Sequence, residues 1–197
     1  NKQLETPKSN DLCFTNVYNY LIGSVDSAVQ EIKPFFVNRG FYTIYFSDHI
    51  IGEAREFGLT LDTLFSKYVE FISHQNKIHK IALIGTGELT VTLKGNGVGG
   101  RNQEMLLSFL NNVKKKEVKN NFLIISANLD GIEGNSEAMG ALVDNYVLEQ
   151  IISKDFSPQK FLKNNDSNSF FKKLNTEIIT GPTGCNVNDL LLILISK

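Results

Sequence analysis

Three runs, Ile81–Ile84, Phe122–Ile125 and Leu190–Ile195, are apolar at every position and of strand rather than helix length. A strand apolar on both faces has to be covered on both. That commits the chain to a layered α/β architecture with helices above and below a sheet. The first run stops at Gly85-Thr86-Gly87-Glu88 and the second at Ser126-Ala127-Asn128-Leu129-Asp130-Gly131, polar turns of the kind that end buried strands. Helical patterns fill the intervals. They cover Asp26–Val37, capped by Gly40, then Glu53–Phe57 and Leu61–Gln75, interrupted by Gly58. Gln103–Leu110 carries an apolar stripe of Met105, Leu106, Phe109 and Leu110, and Asn145–Lys154 and the surroundings of Phe161 and Phe170-Phe171 are also helical.

Tyr18–Ile22 and Phe41–Phe46 read as strands flanking the first helix, a strand–helix–strand unit that signals parallel pairing. Leu89, Val91 and Leu93 alternate with Thr90, Thr92 and Lys94, which predicts an antiparallel or edge strand. Ile178–Thr180 is a last short strand, and Met139–Asp144 fits either helix or strand. The predicted fold class is therefore α/β: a three-layer, mostly parallel sheet with helices on both faces, including an antiparallel or edge strand. Ligands of such sheets gather at the strand ends, here Asp48, Gly85–Glu88, Asn128–Gly131 and Gly181–Asn186.

At 197 residues the chain can bury a sizeable core in one domain or two. Twenty Lys and Arg against 21 Asp and Glu leave a net charge of −1, with no electrostatic footprint for nucleic acid. The densest basic run, Lys114-Lys115-Lys116, reads as a solvated helix end. No stretch reaches the length of a membrane span. Cys13 and Cys185 have no metal-ligand spacing with His49, His74 or His79, a usage that suits a reducing cytoplasm. Asn1–Asp11 is polar, lacks a signal-peptide pattern and begins without methionine, so a processed chain or a piece of a longer one is expected.

Two segments serve no core. Gly95–Glu104 reads Gly-Asn-Gly-Val-Gly-Gly-Arg-Asn-Gln-Glu, and Gly181–Asp189 reads Gly-Pro-Thr-Gly-Cys-Asn-Val-Asn-Asp. Glycines let backbone amides approach a ligand, and a helix start offers unpaired N–H groups with a dipole that favours anions. Arg101 adds a forked cation at that helix start, the combination that clamps a phosphoryl or carboxylate group; a surface salt bridge is the alternative. Gly95, Gly97 and Gly100 also satisfy the dinucleotide pattern G-x-G-x-x-G, although no acidic residue ends a second strand at the expected distance. Asp130, just past a buried strand, could hold Mg²⁺ or accept a hydroxyl proton, or Asp130-Gly131 is simply a turn that Glu133 and Gly134 extend. Glu88 has the same ambiguity.

Taken in order, Gly87-Glu88, Thr90-Val91-Thr92, Gly99-Gly100-Arg101-Asn102-Gln103-Glu104, Asp130-Gly131-Ile132, Asn165-Asp166-Ser167 and Gly181-Pro182-Thr183-Gly184 with Asn186-Val187-Asn188-Asp189 form a set. That set closely resembles the C-terminal MOFRL domain of glycerate 2-kinases, a family also called hydroxypyruvate reductases. Glu5-Thr6-Pro7-Lys8, Ile22-Gly23-Ser24 and Gly52-Glu53-Ala54-Arg55-Glu56 resemble the stretch just before that domain. Where the family usually reads Gly-Gly-Glu-Thr-Thr, this chain has Thr86-Gly87-Glu88-Leu89-Thr90. Leu129 replaces a threonine, Glu133-Gly134-Asn135-Ser136 replaces Asp-Gly-Pro-Thr, and Cys185 stands where threonine is common.

The resemblance implies residues 1–80 as a segment preceding the MOFRL domain and residues 81–197 as the domain itself. It implies an ATP- and Mg²⁺-dependent transfer of phosphate to the 2-hydroxyl of D-glycerate, in a cleft shared with an upstream kinase domain in the same or a companion chain. No nucleic-acid or membrane partner is expected, and a homodimer is left open. Arg101 would neutralise the transferring phosphoryl group or bind the substrate carboxylate, and Asp130 would contact metal or hydroxyl. Glu88, Gly97, Gly99, Gly100, Asn102, Glu104, Thr183, Asn186, Asn188 and Asp189 would bind substrate and nucleotide. The alternatives are a noncatalytic glycerate- or nucleotide-binding module and a NAD(P)H-dependent hydroxypyruvate reductase.

Overall fold

The three apolar runs become the central strands of one six-stranded sheet in a computed structural model that describes residues 6–20 and 23–197. The helices are α1 (Val25–Val37), α2 (Ala54–His74), α3 (Arg101–Val113), α4 (Asn145–Ser153), α5 (Pro158–Leu162) and α6 (Ser167–Leu174). The strands are β1 (Tyr42–Glu53), β2 (Lys80–Thr90), β3 (Asn121–Asn128), β4 (Gly140–Asp144), β5 (Glu177–Ile178) and β6 (Asp189–Ser196), ordered β1-β2-β6-β3-β4-β5 across the sheet. Alternation along β2 and β6 sorts the layers. Ile81, Leu83, Ile193 and Ile195 pack under α2 through α6, while Ala82, Ile84 and Leu192 pack against Val29 and Phe36 of α1. The α/β class and the helices on both faces follow from that double burial.

The pairing departs from a mostly parallel pattern. Among the described residues, only β1 and β2 run side by side in parallel, joined by α2 as the crossover. β6 lies antiparallel between β2 and β3, and β4 and β5 continue antiparallel. Full burial makes a strand apolar whichever way its neighbours run, so composition could not distinguish the two arrangements. Met139–Asp144, open in the sequence, supplies β4. The expected first strand does not form over Tyr18–Tyr20, which are irregular with both tyrosines exposed; Leu21 and Ile22 lie outside the described residues.

Three glycines read as stops are instead contact points. β2 runs straight through Gly85 and Gly87, merging the two predicted strands, and β1 likewise runs through Asp48 to Glu53. A Cβ at Gly87 would stand 2.1 Å from the Ile50 carbonyl oxygen, so glycine is what lets the irregular half of β1 close on β2. Residues 91–94 leave the sheet altogether. Gly58, read as a break, lies inside the continuous α2, where a Cβ would stand 2.5 Å from Ser108 Cβ and 2.6 Å from the Met105 carbonyl oxygen of α3. Alanine is a better helix former by about 1 kcal/mol, yet the overlap with α3 outweighs it. We expect Gly58→Ala to destabilise the fold by about 1–3 kcal/mol in denaturant titrations; a stabilised variant would contradict this packing.

The basic run is a solvated helix end, as expected: α3 stops at Val113, and Lys115 and Lys116 are exposed. Lys116 reaches back to α2, with Nζ 2.8 Å from each carboxylate oxygen of Asp62 and 3.1 Å from Ser66 Oγ.

Candidate functional site

The 95–104 glycine segment and Asp189, the last residue of the 181–189 segment, meet at one end of the sheet, where β2 and β3 finish and β6 begins. Asp189 opens β6 and pairs in register with Gly87 of β2 on one side and Asn128 of β3 on the other. Arg101 opens α3 directly above it. The Arg101 guanidinium donates from Nε to Asp189 Oδ2 at 2.6 Å and from Nη2 to Oδ1 at 2.8 Å, a forked pair, with Glu88 Oε1 at 3.6 Å. Arg101 therefore reaches the end of the 181–189 segment, as expected of a converging site. Donating to Asp189 raises the Arg101 pKa and keeps the guanidinium charged, while burial pushes the Asp189 carboxyl up against the pull of Arg101.

A cavity of about 510 Å³ opens beside this pair. Glu88, Gly97, Gly99, Gly100, Arg101 and Glu104 line one side, and Leu89, Val91 and Leu93 form an apolar wall on another. Six predicted site residues are thus brought together. Asn102 and Asp189 lie behind them, at a narrow buried gap shared with Thr86 and Ser126, where the Ser126 hydroxyl donates to Asn102 Oδ1.

The glycine loop is used differently from the expectation. Its amides are mostly consumed by the protein. Lys94 and Gly95 donate to Asn165 Oδ1, Asn96 to Asn164 Oδ1, Gly97 to the Asn164 carbonyl, Val98 to Asp166 Oδ1 and Gly99 to Asn135 Oδ1. The Asn102 and Gln103 amides donate to Glu133 at 2.7 and 3.0 Å, and the Glu104 amide donates to the Gly100 carbonyl. Within residues 94–104, only the Gly100 and Arg101 amides are left without a partner among the described residues. Both residues line the cavity. The close approach that glycine permits is to the protein itself, since a Cβ at Gly100 would stand 2.6 Å from Glu133 Cγ. In a dinucleotide fold the helix start holds pyrophosphate; here the Glu133 carboxylate occupies that place.

Glu104, expected to bind ligand, is 1% exposed and tied into the scaffold. Its Oε1 accepts from Arg55 Nη2 at 2.9 Å and its Oε2 from Asn165 Nδ2 at 2.9 Å, so it ties α2 and the α5–α6 turn to α3 from the cavity floor. Asn165, in the left-handed region at φ 51°, also donates to the Thr92 carbonyl, which puts its amide at the junction of three segments, the 92–95 loop, α3 and its own α5–α6 turn. Asn165, Asn135, Arg55 and Glu133 were not singled out as ligand-site residues from spacing. Arg55 and Asn165 do fall within motifs of the family resemblance, and the run of Asn and Asp at 164–166 is of types that hydrogen-bond backbone locally.

Asp130, Thr183, Asn186 and Asn188 stand apart from the cavity lining. Asp130 Oδ1 accepts from the Ile132 amide at 3.0 Å, an Asx-type turn, and its carbonyl accepts from the Thr183 amide at 2.8 Å. Thr183 Oγ1 donates to the Leu129 carbonyl at 2.6 Å, and the Leu129 amide to the Asn188 carbonyl at 3.1 Å. The 181–188 loop thereby packs on the Asp130 turn. Among the described residues, no three His, Cys, Asp or Glu side chains converge as a metal site, and no helix is long and apolar enough to cross a membrane. Cys13 and Cys185 are free and exposed.

Glu133 is 2% exposed, and loss of water pushes its carboxyl from 4.5 up to about 8 against the pull of the two amides. A carboxyl raised in the fold holds its proton more tightly folded than unfolded. Its stabilising contribution is complete below about 4.5 and is lost as pH rises through about 8. The melting temperature should fall as pH is raised from about 5 to about 8, and the slope should flatten in Glu133→Gln. Parallel slopes in thermal melts of the two proteins would remove this assignment.

The fold and site define an α/β domain with an arginine-headed helix beside a cavity at the strand ends of a mixed sheet. A model of the MOFRL family matches residues 81–189, and the chain belongs to that family. It is 38% identical to a D-glycerate 2-kinase of Thermotoga maritima over 191 residues, covering 97% of this chain and 44% of that protein. A glycerate 2-kinase of Pyrococcus horikoshii is 30% identical, covering 92% of this chain and 40% of that protein. The crystal structure of a Thermotoga maritima glycerate kinase superimposes with a TM-score of 0.80 at 38% identity, over 92% of this chain and 42% of that one. The chain thus spans less than half the length of these relatives.

Proposed function

We propose that this chain is the C-terminal portion of an ATP-dependent D-glycerate 2-kinase, phosphorylating D-glycerate to 2-phosphoglycerate in a cleft completed by an upstream domain. The observation that carries the reading is Arg101. It is partly buried and paired with Asp189, and with Gly100, whose amide like its own has no partner among the described residues, it lines a roomy cavity in a chain 38% identical to a D-glycerate 2-kinase. In phosphoryl transfer the protein mainly positions groups and neutralises charge. Arg101 supplies the neutralising cation and Asp189 holds its plane. The two amides hold one oxygen of the phosphoryl or carboxylate group, and the Leu89–Val91–Leu93 wall faces the less polar part of the ligand.

The donor set suits a Mg²⁺–nucleotide better than a resident ion. Mg²⁺ is usually met by one or two carboxylates plus substrate phosphates, and Glu88 beside the cavity with Asp189 behind Arg101 matches that pattern. Bound there, the ion supplies further charge neutralisation. Asp130, two residues beyond the β3 position that pairs with Asp189, is a third acid, which we assign to metal or hydroxyl contact. Residues 1–80 precede the domain and residues 81–197 form it. The free cysteines fit a reducing cytoplasm.

The test is ADP release from D-glycerate, ATP and Mg²⁺ by this chain joined to, or mixed with, its upstream domain. Production of 2-phosphoglycerate is expected only when both parts are present. Calorimetric binding of glycerate or ATP without ADP release would make the chain a noncatalytic binding module instead.

A further inference from the structure

We propose that Glu133 is a positioning residue: it fixes the first turn of α3 so that the Gly100 and Arg101 amides and the Arg101 guanidinium converge on a single anionic group. The proposal rests on the anion-binding reading of the cavity given above. Glu133 comes from the β3–β4 connection, remote in sequence from α3, and its backbone is held at both ends. Its amide donates to the Ala138 carbonyl at 2.8 Å, and its carbonyl accepts from the Ser136 amide at 3.1 Å and from Ser136 Oγ at 3.0 Å. Its side chain lies against Gly100, where any Cβ would overlap it.

The next residues continue the clamp. Gly134, at φ 57°, brings its backbone against the Gly99 carbonyl, and Asn135 accepts from the Gly99 amide at 2.9 Å while its Nδ2 donates to the Gly97 carbonyl at 3.1 Å. The start of α3 is thus gripped from outside by three consecutive residues. The Asn102 and Gln103 amides beneath Glu133 belong to residues 1% and 0% exposed, out of reach of any external anion. Left without the carboxylate they would be orphan donors in a dry site, which the first turn can relieve only by shifting or unwinding. Because they are satisfied internally, the two amides just before them are the ones presented to a ligand. The charged groups acting on Glu133 are Arg101, at the head of α3, and Asp189, at the head of β6.

The experiment titrates inorganic phosphate into the ¹⁵N-labelled full chain and follows amide resonances. In the wild type, the Gly100 and Arg101 signals should move together along one saturating curve. At about pH 9, where the Glu133 carboxyl is ionised, Glu133→Gln should weaken phosphate binding by about tenfold, the loss expected of one charge-assisted hydrogen bond, and Glu133→Asp should recover part of it. Equal or tighter binding by a folded Glu133→Gln variant would overturn the proposal, making Glu133 a bystander or an occluding group. If phosphate leaves the two amides unmoved, or binds Arg101→Ala as well as wild type, the anion site itself fails and the proposal with it. Should Glu133→Gln not fold, the wild type decides: the Gly100 and Arg101 amide shifts must follow the pH titration of the Glu133 carboxyl ¹³C signal, and indifference to it would overturn the role.

Discussion

On the proposed kinase reading, replacing Arg101 with alanine in the chain joined to its upstream domain should lower kcat by about 10³-fold, with a smaller change in KM for ATP. The charge on a transferring phosphoryl group is spread over its oxygens, so an oriented cation acts most strongly on the transition state. Arg101 is oriented before any ligand arrives, because Asp189 fixes both its Nε and its Nη2. Arg101→Lys should rescue little, since an ammonium cannot hold that forked geometry against Asp189 and still face the cavity. Steady-state kinetics of the three proteins decide the matter. Unchanged kcat in Arg101→Ala would remove this residue from the chemistry and leave the cavity without its main charge.

Asn165→Ala should cost about 3–4 kcal/mol in stability. The amide group makes four contacts that no neighbour can replace: Lys94 N, Gly95 N, the Thr92 carbonyl and Glu104 Oε2. Each buried group left unpaired costs on the order of 1 kcal/mol or more, and alanine is also strained at φ 51° where asparagine is tolerated. Part of the loss should appear in function, because the freed 94–99 loop forms the cavity wall. Chemical denaturation measures the first effect; a variant within about 1 kcal/mol of wild type would show that the clip is dispensable.

Most of the layering was legible because burial on both faces leaves a mark in composition that survives any topology. Pairing direction leaves none, which is why β6 could be recognised as a strand and not as the antiparallel insert between β2 and β3. Arg101 and Asp189 could each be picked out beside a glycine segment, whereas their contact depends on register across β2 and β3. Glycine was the least readable residue. Gly58, Gly85 and Gly87 look like breaks, but each marks a place where another segment touches backbone, and the touching atoms lie as far away in sequence as Ser108 or Ile50. Glu133 was hidden for the same reason: a carboxylate in a turn gives no sign that it caps a helix 30 residues earlier.

The order of strands also sets a schedule. β2 and β3 share no hydrogen bonds; β6, encoded after both, is what joins them. During synthesis the two halves of the sheet must wait, apolar edges open, until residues 189–196 leave the ribosome, a window in which chaperones or unwanted pairing can intervene. The strand that seals this gap also delivers Asp189 to Arg101, so the arginine acquires its orientation at the moment the sheet closes.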